Sequence, residues 1–298
     1  MINFNGIERL DIGGRSMPVS PHTEVITEDQ SVRLKQLASL CAENFVDEPT
    51  LVQNKTGLPT YIGRLDYTVI DGEPQLYEFE ERPSGLGISA RVSAEFNSRI
   101  GEVLNRIGYF SVVLSGKRCA TDDTFLGLQV ITSEQALKQD EPLLIRAEPE
   151  EDGLESLVAR SISTVLTKGN KSYGERIGIF KTVDKPEDLP DRHTGFALKP
   201  RQGSKAKDVM IYHPKLTAKP GFRAYRKMLQ AVTEMPMYLQ DLHLPVDTGH
   251  PEYPNMIYRL FVDFTSGNPE LIGGCYMARK DAIVHGSLHS VIGQLVVN

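Results

Sequence analysis

Residues 61–83, YIGRLDYTVIDGEPQLYEFEERP, predict a β-hairpin, and the rest of the chain is interpreted around it. Asp71-Gly72 is a glycine-containing connection flanked by apolar residues, which is typical of a tight hairpin turn. The second strand, residues 75–80, alternates polar and apolar side chains, so Tyr77 and Phe79 are expected on one face and the acidic residues on the other.

Three carboxylates are expected to converge in this hairpin, Asp66 from the first strand and Glu78 and Glu80 from the second. Such a cluster repels itself unless cations neutralise it. A few hard oxygen ligands suit Mg²⁺, which keeps water molecules and takes phosphate oxygens of a substrate for its other positions. The alternative is a solvated hairpin face, because alternating Glu residues are ordinary on a half-exposed strand.

Composition bounds the class of protein. The 298 residues provide enough apolar content for two lobes or one large domain. A formal net charge of -6 argues against a nucleic-acid partner held by bulk positive charge. The chain has no run of eighteen apolar residues and no secretory leader pattern, so we expect no membrane association and a cytoplasmic location. Three separated cysteines predict no disulfide framework, and Cys41 and Cys275 are expected to be buried thiols.

A helix is expected before the hairpin, and alternating helices and strands are expected after it. Thr27 followed three residues later by Gln30 predicts a capped helix before the hairpin, whereas the residues ahead of it are expected to be loops. From residue 84 to about residue 167, one amphipathic helix ending at Gly108 precedes alternating strands and helices, which predicts a small doubly wound lobe.

A polar loop then joins two short strands. Phe196 to Pro200 ends in a lysine and proline, and residues 201–207 are rich in glycine, amides and cations before the strand at residues 208–212. Such a loop between antiparallel strands can fold over a polyphosphate. The alternative is a surface hairpin with solubilising lysines. Near the C-terminus, strands at residues 256–264 and 271–279 predict a second hairpin that brings Arg259 and Arg279 near each other.

Taken together, these residues resemble the ATP-grasp superfamily, and their order is most similar to its circularly permuted branch, that of glutathionylspermidine synthetase. In that branch the metal-binding acids precede the nucleotide lid. The resemblance covers residues 61–298 and consists of ordered landmarks: Arg64-Leu65-Asp66, Glu78-Phe79-Glu80 with Pro83, Gly169-Asn170-Lys171, Lys199-Pro200 with Gly203, Leu239-Gln240-Asp241-Leu242, and finally Arg259 and Arg279.

The resemblance implies an α+β and α/β protein with an ATP-grasp fold in permuted order and a Rossmann-like lobe. The expected segments are an N-terminal helix and loops packing on the core (1–60), the metal-binding hairpin (61–83), a Rossmann-like lobe (84–167), a nucleotide lid (168–245) and a return to the ATP-grasp C-terminal lobe (246–298). It further implies an ATP- and Mg²⁺-dependent carboxylate-amine ligase that releases ADP. ATP and Mg²⁺ are the implied cofactors, and an amino acid, peptide or polyamine is the implied substrate.

The same resemblance implies metal, catalytic and nucleotide residues, and arginines are added as candidates for binding the substrate. Asp66, Glu78 and Glu80 are expected to bind Mg²⁺, and Arg279 with Arg259 behind it to be catalytic. For the nucleotide the expected residues are Lys171, Lys199, Gly203, Ser204, Gln240, Asp241 and Leu242. For substrate carboxylates they are Arg64, Arg82 and Arg118, each of which fits an ordinary ion pair equally well. The interpretation requires Asp66 and Glu78 to meet Lys171 and Lys199 in one cleft.

Departures from the family pattern leave alternatives open. The family's asparagine ligand is Glu80 here, which still offers oxygen to Mg²⁺ but adds a charge and alters coordination. One alternative is a nucleotide-binding partner or regulatory protein without catalytic activity. Another is a kinase that releases the acyl phosphate or phosphorylates a hydroxyl. Substrate identity and oligomeric state cannot be predicted from these motifs.

Overall fold

The computed structural model of the chain describes residues 4–11, 16–45, 58, 60–81, 83–108, 111–113, 129–131, 133–138, 143–145, 171–191, 193–201, 209–214, 221–281 and 290–298. Its strands are β1 (Glu8–Asp11), β2 (Ser16–Ile26), β3 (Ile62–Ile70), β4 (Glu73–Glu80), β5 (Ser111–Val113), β6 (Gln129–Ile131), β7 (Leu143–Ile145), β8 (Lys181–Val183), β9 (Phe196–Pro200), β10 (Met210–Tyr212), β11 (Met237–Asp241), β12 (Val246–Asp247), β13 (Asn255–Asp263), β14 (Glu270–Arg279) and β15 (Val291–Val297). Its α-helices are α1 (Glu28–Asn44), α2 (Leu86–Val92), α3 (Ala94–Ile107), α4 (Ser133–Leu137), α5 (Ser172–Arg176) and α6 (Gly221–Glu234). The fold is therefore a mixed α and β arrangement with several sheets and few helices.

The largest sheet has eight strands in the order β1-β2-β15-β14-β13-β3-β4, and β12 pairs with β13. Neighbouring strands are antiparallel except β15 and β2, which are parallel. The sheet thus joins the N-terminal residues, the acidic hairpin and the C-terminal hairpin in one layer. Strand β4 lies at one edge, so its outward backbone groups need partners from elsewhere.

The acidic hairpin is confirmed. Asp71 (φ 52°) and Gly72 (φ 86°) are both left-handed, which is the backbone of a type I′ turn. The register then shifts between Asp66 and Tyr67, leaving one extra residue on β4, Tyr77. This bulge makes the expected shared face of Tyr77 and Phe79 wrong. Phe79 packs in the main core, whereas Tyr77 packs with a separate cluster on the opposite face.

The N-terminal residues differ from expectation, because β1 and β2 replace the predicted loops. Pro18 and Pro21 lie within β2, and proline normally argues against a paired strand because it lacks a backbone N–H. The strand forms because its partner β15 comes from the other end of the chain. No local sequence pattern in residues 1–26 predicts the pairing of β2 with β15.

One face of the large sheet packs on α1. Thr27 and Gln30 form the predicted capping box at the start of that helix. Leu34, Ala38 and Cys41 are fully buried in the main core. Cys41 and Cys275 are free buried thiols, as predicted.

The opposite face packs on α2 and α3. The predicted single helix is broken at Ser93, whose extended backbone (φ −128°) ends α2 and whose hydroxyl caps α3 by accepting from the N–H of Phe96. The second helix ends at Gly108 as expected. Phe96, Ile100 and Val103 of α3 pack with residues of the large sheet.

Two smaller sheets complete the described chain. Four antiparallel strands in the order β10-β9-β11-β8 pack their apolar side chains on α6. Three parallel strands in the order β6-β5-β7, with α4 between β6 and β7, confirm the predicted β-α-β alternation. No helix of the described residues is long and apolar enough to cross a membrane.

Candidate functional site

A row of polar side chains crosses four strands of the large sheet and extends to a fifth. Asp66 pairs with Glu78 on β4 and with Arg259 on β13, Arg259 pairs with Cys275 on β14, and Cys275 pairs with Gln294 on β15. Because directly paired residues share a face, this row lies on the side opposite to α1. Leu65, Tyr67 and their partners fill the α1 side.

Arg64 forms ion pairs with two of the three carboxylates, Asp66 and Glu80. Its side chain is 1% exposed and donates from Nε to Asp66 Oδ1 at 2.7 Å and from Nη2 to Asp66 Oδ2 at 2.9 Å. Nη2 also lies 2.8 Å from Glu80 Oε1, and Nη1 donates to the carbonyl and hydroxyl oxygens of Ser84. Such a planar, bidentate clamp orders both carboxylates. The predicted role of Arg64 in binding a substrate carboxylate does not fit, because its nitrogens already bind groups of the chain.

Glu78 faces two lysines from distant segments. Lys171 Nζ lies 3.6 Å from Glu78 Oε1. Desolvation raises the pKa of Glu78, while Lys171 and Lys199 oppose that rise and Glu80 and Asp66 add to it. The predicted meeting of Asp66 and Glu78 with these lysines is therefore confirmed as a spatial arrangement.

Lys199 is buried with little pairing. Nζ donates to the backbone carbonyl of Tyr77 at 2.7 Å and lies 5.0 Å from the centre of the Phe180 ring. Burial lowers the pKa of Lys199 to about 8, although Glu78 partly opposes the change. An ammonium group has three donors. The amine therefore retains capacity for a phosphate oxygen.

Side chains from outside the large sheet bind the outer edge of β4. The N–H of Phe79 donates to Tyr173 Oη, and Gln240 Nε2 donates to the carbonyl of Leu76 at 2.7 Å. Gln240 is 3% exposed and its side chain is used in this bond, and the expected contact of backbone groups near Gln240 with a nucleotide stays a prediction. Asp241 is exposed at the end of β11, and Leu242 is half-buried. Sequence reasoning missed Tyr173, since nothing marks it apart from its place two residues after Lys171.

Two arginines have unfilled donors. Arg279 is 8% exposed, and its Nη2 donates to Asp281 Oδ2 at 2.7 Å. Its buried Nε and Nη1 make no hydrogen bond to the described chain. Arg259 Nε also lacks a hydrogen bond, although it lies 3.4 Å from Asp66 Oδ2. Buried donors of this kind are normally satisfied, so both side chains fit an anionic ligand.

The C-terminal hairpin separates these arginines more than predicted. Arg259 pairs with Cys275, whereas Arg279 pairs with Asn255. The two rows are four residues apart, roughly 14 Å along the strands. Both arginines share the face of the polar row, but they mark different positions on it.

The predicted Mg²⁺ site is not assembled by the described side chains. No group of three His, Cys, Asp or Glu residues in the described ranges is arranged to hold a metal ion. The reason is Arg64, which binds both oxygens of Asp66 and one of Glu80. Among the described ion pairs, Asp66 and Glu80 contact an arginine, whereas Glu78 contacts Lys171. The described side chains therefore do not form a three-carboxylate metal site by themselves, and the role of these residues in binding Mg²⁺ stays a prediction.

Several predicted residues lie outside the described part of the chain. They are Arg82 and Arg118, predicted for the substrate, and Gly203 and Ser204, predicted for the nucleotide. Their roles remain predictions.

Comparison with known proteins finds likenesses among solved structures. Neither a family model nor a curated protein matches the chain. The fold is similar to that of a protein from Methylobacillus flagellatus KT described as a proposed gamma-glutamylcysteine synthetase, with 11% identity and a TM-score of 0.47. That likeness covers 93% of this chain and 89% of the other.

Proposed function

We propose that the chain binds ATP at the Glu78 end of the polar row and is a carboxylate-amine ligase. The observation that carries this proposal is a set of cations with spare donors, the buried Lys199 and Arg279 and the partly buried Arg259, together with the buried Lys171 beside Glu78. Buried charges require partners, and the described hydrogen bonds leave donors of Lys199, Arg259 and Arg279 unfilled. A polyphosphate supplies several anionic oxygens at once.

The proposed reaction has two steps. A substrate carboxylate oxygen attacks the γ-phosphorus of ATP, the bond to the β-phosphate oxygen breaks, and an acyl phosphate and ADP result. An amine nitrogen then attacks the acyl carbon, the carbon-oxygen bond to phosphate breaks, and the nitrogen loses a proton. The sum is acid plus amine plus ATP giving amide, ADP and inorganic phosphate.

Each cation has a proposed part in these steps. Lys171 and Lys199 hold phosphate oxygens as point charges. Arg259 beside Asp66 stabilises charge on the transferred phosphoryl group, since preorganised donors act strongly in a water-poor site. Arg279 remains a proposed catalytic residue, and its separate row favours contact with the substrate side of the transferred group. Mg²⁺ dependence stays a prediction, and no step is assigned to the metal.

A second candidate is a nucleotide-binding protein without catalytic activity. The engagement of Asp66 and Glu80 by Arg64 favours it, because these carboxylates are then not free for a metal. The two candidates share nucleotide binding and differ in turnover.

Hydroxylamine trapping tests the proposal. The chain is incubated with ATP, Mg²⁺, hydroxylamine and a panel of amino acids, short peptides and other carboxylic acids, and hydroxamate and ADP are measured. A ligase gives both products in equal amounts with at least one acid, and the Lys171→Met variant loses them. The exposed Lys185→Met variant is the matched control and keeps wild-type rates. ATP binding without hydroxamate from any acid overturns the ligase in favour of the second candidate.

A further inference from the structure

The outer edge of β4 is held by three side chains from the segment that follows residue 170. Tyr173 accepts from the N–H of Phe79, Lys199 donates to the carbonyl of Tyr77, and Gln240 donates to the carbonyl of Leu76. These backbone groups lie on both sides of Glu78. The edge strand is therefore fixed from outside the large sheet at the position of its central carboxylate.

The same place carries the β-bulge. Asp66 pairs with Glu78 and Tyr67 pairs with Leu76, so Tyr77 is the extra residue. A bulge bends a strand and re-aims nearby side chains, and bulges are frequent beside active sites. Here Leu76 enters the main core while Tyr77 packs on the other face with Glu78 beside it. The direction of Glu78 therefore depends on keeping the bulge.

Gln240 differs from its neighbours on β11. Met237 and Leu239 pack in the apolar core of the four-stranded sheet, and Gln240 points to the other side, towards β4. A buried amide loses hydration and is normally retained for the hydrogen bond it makes. The bond that the structure gives its nitrogen is the one to Leu76, one residue before the bulge.

We propose that Gln240 is a positioning residue that keeps the bulge of β4 and thereby aims Glu78 at Lys171. This inference rests on the proposed function for its catalytic consequence. Because Gln240 and Lys199 belong to the four-stranded sheet and Glu78 to the large sheet, the carboxylate is set in place only when the two sheets are docked. Gln240 acts through the backbone of β4 and not by touching the nucleotide.

Two variants and a control test the structural part. Gln240→Met keeps the volume and removes the donor, and Gln240→Glu places a carboxylate against the Leu76 carbonyl. Gln230→Met is the control, because Gln230 is exposed on α6 and bonds only to Glu234 among the described hydrogen bonds. Crystal structures of wild type and variants report the pairing of Tyr67 and the distance from Glu78 to Lys171. We expect both to change in the Gln240 variants, and an unchanged bulge and distance would overturn the proposal.

Kinetics test the functional part. A misplacement of about 1 Å at a reacting group costs up to about a hundredfold in rate. We expect kcat for ADP release to fall about ten- to hundredfold in both Gln240 variants, with the KM for ATP within about threefold of wild type. A merely structural role changes the unfolding midpoint and leaves kcat well below that midpoint unchanged, which would also overturn the proposal. If wild type releases no ADP but the Gln240 variants still lose the bulge, the proposed ligase function fails and the structural role of Gln240 stands.

Discussion

The two faces of the large sheet are built from the same strands and do opposite things. On the α1 side, Leu65, Tyr67 and Leu260 are at most 1% exposed and belong to one apolar core. On the other side, the neighbouring residues Arg64, Asp66 and Arg259 form a charged row. Because successive side chains of a strand point to opposite faces, the apolar core and the candidate site lie on opposite sides of the same sheet.

The difference between the faces separates stability from binding. Burying apolar surface stabilises the fold directly. Burying charges costs free energy that their mutual attraction repays only when pairing is nearly complete. The charged row includes cations with unfilled donors. We therefore expect that the apolar face sets stability and that the charged face becomes fully paired only with an anionic ligand.

The largest expected effect comes from breaking the clamp on the charged face. Arg64→Met leaves Asp66 and Glu80 without their guanidinium partner, and breaking a buried pair in this way costs about 3–5 kcal/mol. The free energy of unfolding from urea titration measures the loss. In the triple variant Arg64→Met, Asp66→Leu, Glu80→Gln, the charges are removed together, so most of the stability should return. A triple variant as unstable as the single one would show that packing, and not charge, sets the loss.

An apolar change on the other face should behave differently. Leu260→Ala creates a cavity in the main core, where Leu260 is 0% exposed, and should cost about 2–5 kcal/mol. Below its unfolding transition, the Leu260→Ala variant should bind ATP with wild-type affinity, because the charged row is intact. Leu40→Ala is the control, since Leu40 is 46% exposed on α1. Calorimetric titration with ATP and Mg²⁺ checks the comparison, and a large loss of affinity would contradict the separation of the faces.

The residues of the charged face could be predicted from the sequence better than the strand order of the large sheet. The hairpin, its turn and the approach of Lys171 to Glu78 were predictable because motifs and alternation are local or carried by an ordered set of landmarks. Strands β1 and β2 were not, because β2 pairs with β15 near the C-terminus and β1 only extends the sheet from β2. The bulge at Tyr77 and the clamp by Arg64 were also missed. Both depend on which side chains meet in space, and that clamp engages two of the three carboxylates predicted to bind Mg²⁺.

The charged face should respond to pH through Lys199. Phosphate binding requires the ammonium form, and the pKa of Lys199 is lowered to about 8 by burial. Affinity for ATP should therefore fall about tenfold between pH 7 and pH 9, which corresponds to about 1.4 kcal/mol of binding free energy. Lys199→Arg should remove this dependence, because arginine stays charged. Titration calorimetry at several pH values measures it, and an identical fall in the variant would contradict the assignment.

The free energy of unfolding should show the opposite trend from the same group. Folding lowers the pKa of Lys199 from 10.5, so its contribution to stability is complete above that value and is lost as pH falls through about 8. Urea unfolding of wild type and Lys199→Met at pH 7 and pH 10 gives the difference in their free energies of unfolding, which isolates the contribution of Lys199. Wild type should gain on the variant as pH rises, and a constant difference would contradict the pKa.

The smallest expected effect lies at the turn that both faces share. Gly72 has φ +86° with open space around it, so Gly72→Ala should cost about 1 kcal/mol from backbone strain alone. Gly101→Ala is the matched control, because Gly101 lies inside α3 with no atom near the added methyl, and the helix should gain up to about 1 kcal/mol. Equal signs for the two changes would contradict the left-handed turn.

The midpoint of thermal unfolding with and without ATP and Mg²⁺ tests the charged face most directly. Ligand at about a hundred times its dissociation constant stabilises by about 2.7 kcal/mol, which raises the midpoint of a chain this size by about 5 °C. We predict that rise for wild type and for Lys185→Met, and its loss in Lys171→Met. An unchanged wild-type midpoint at millimolar nucleotide would contradict the proposal that the cations around Glu78 bind a polyphosphate.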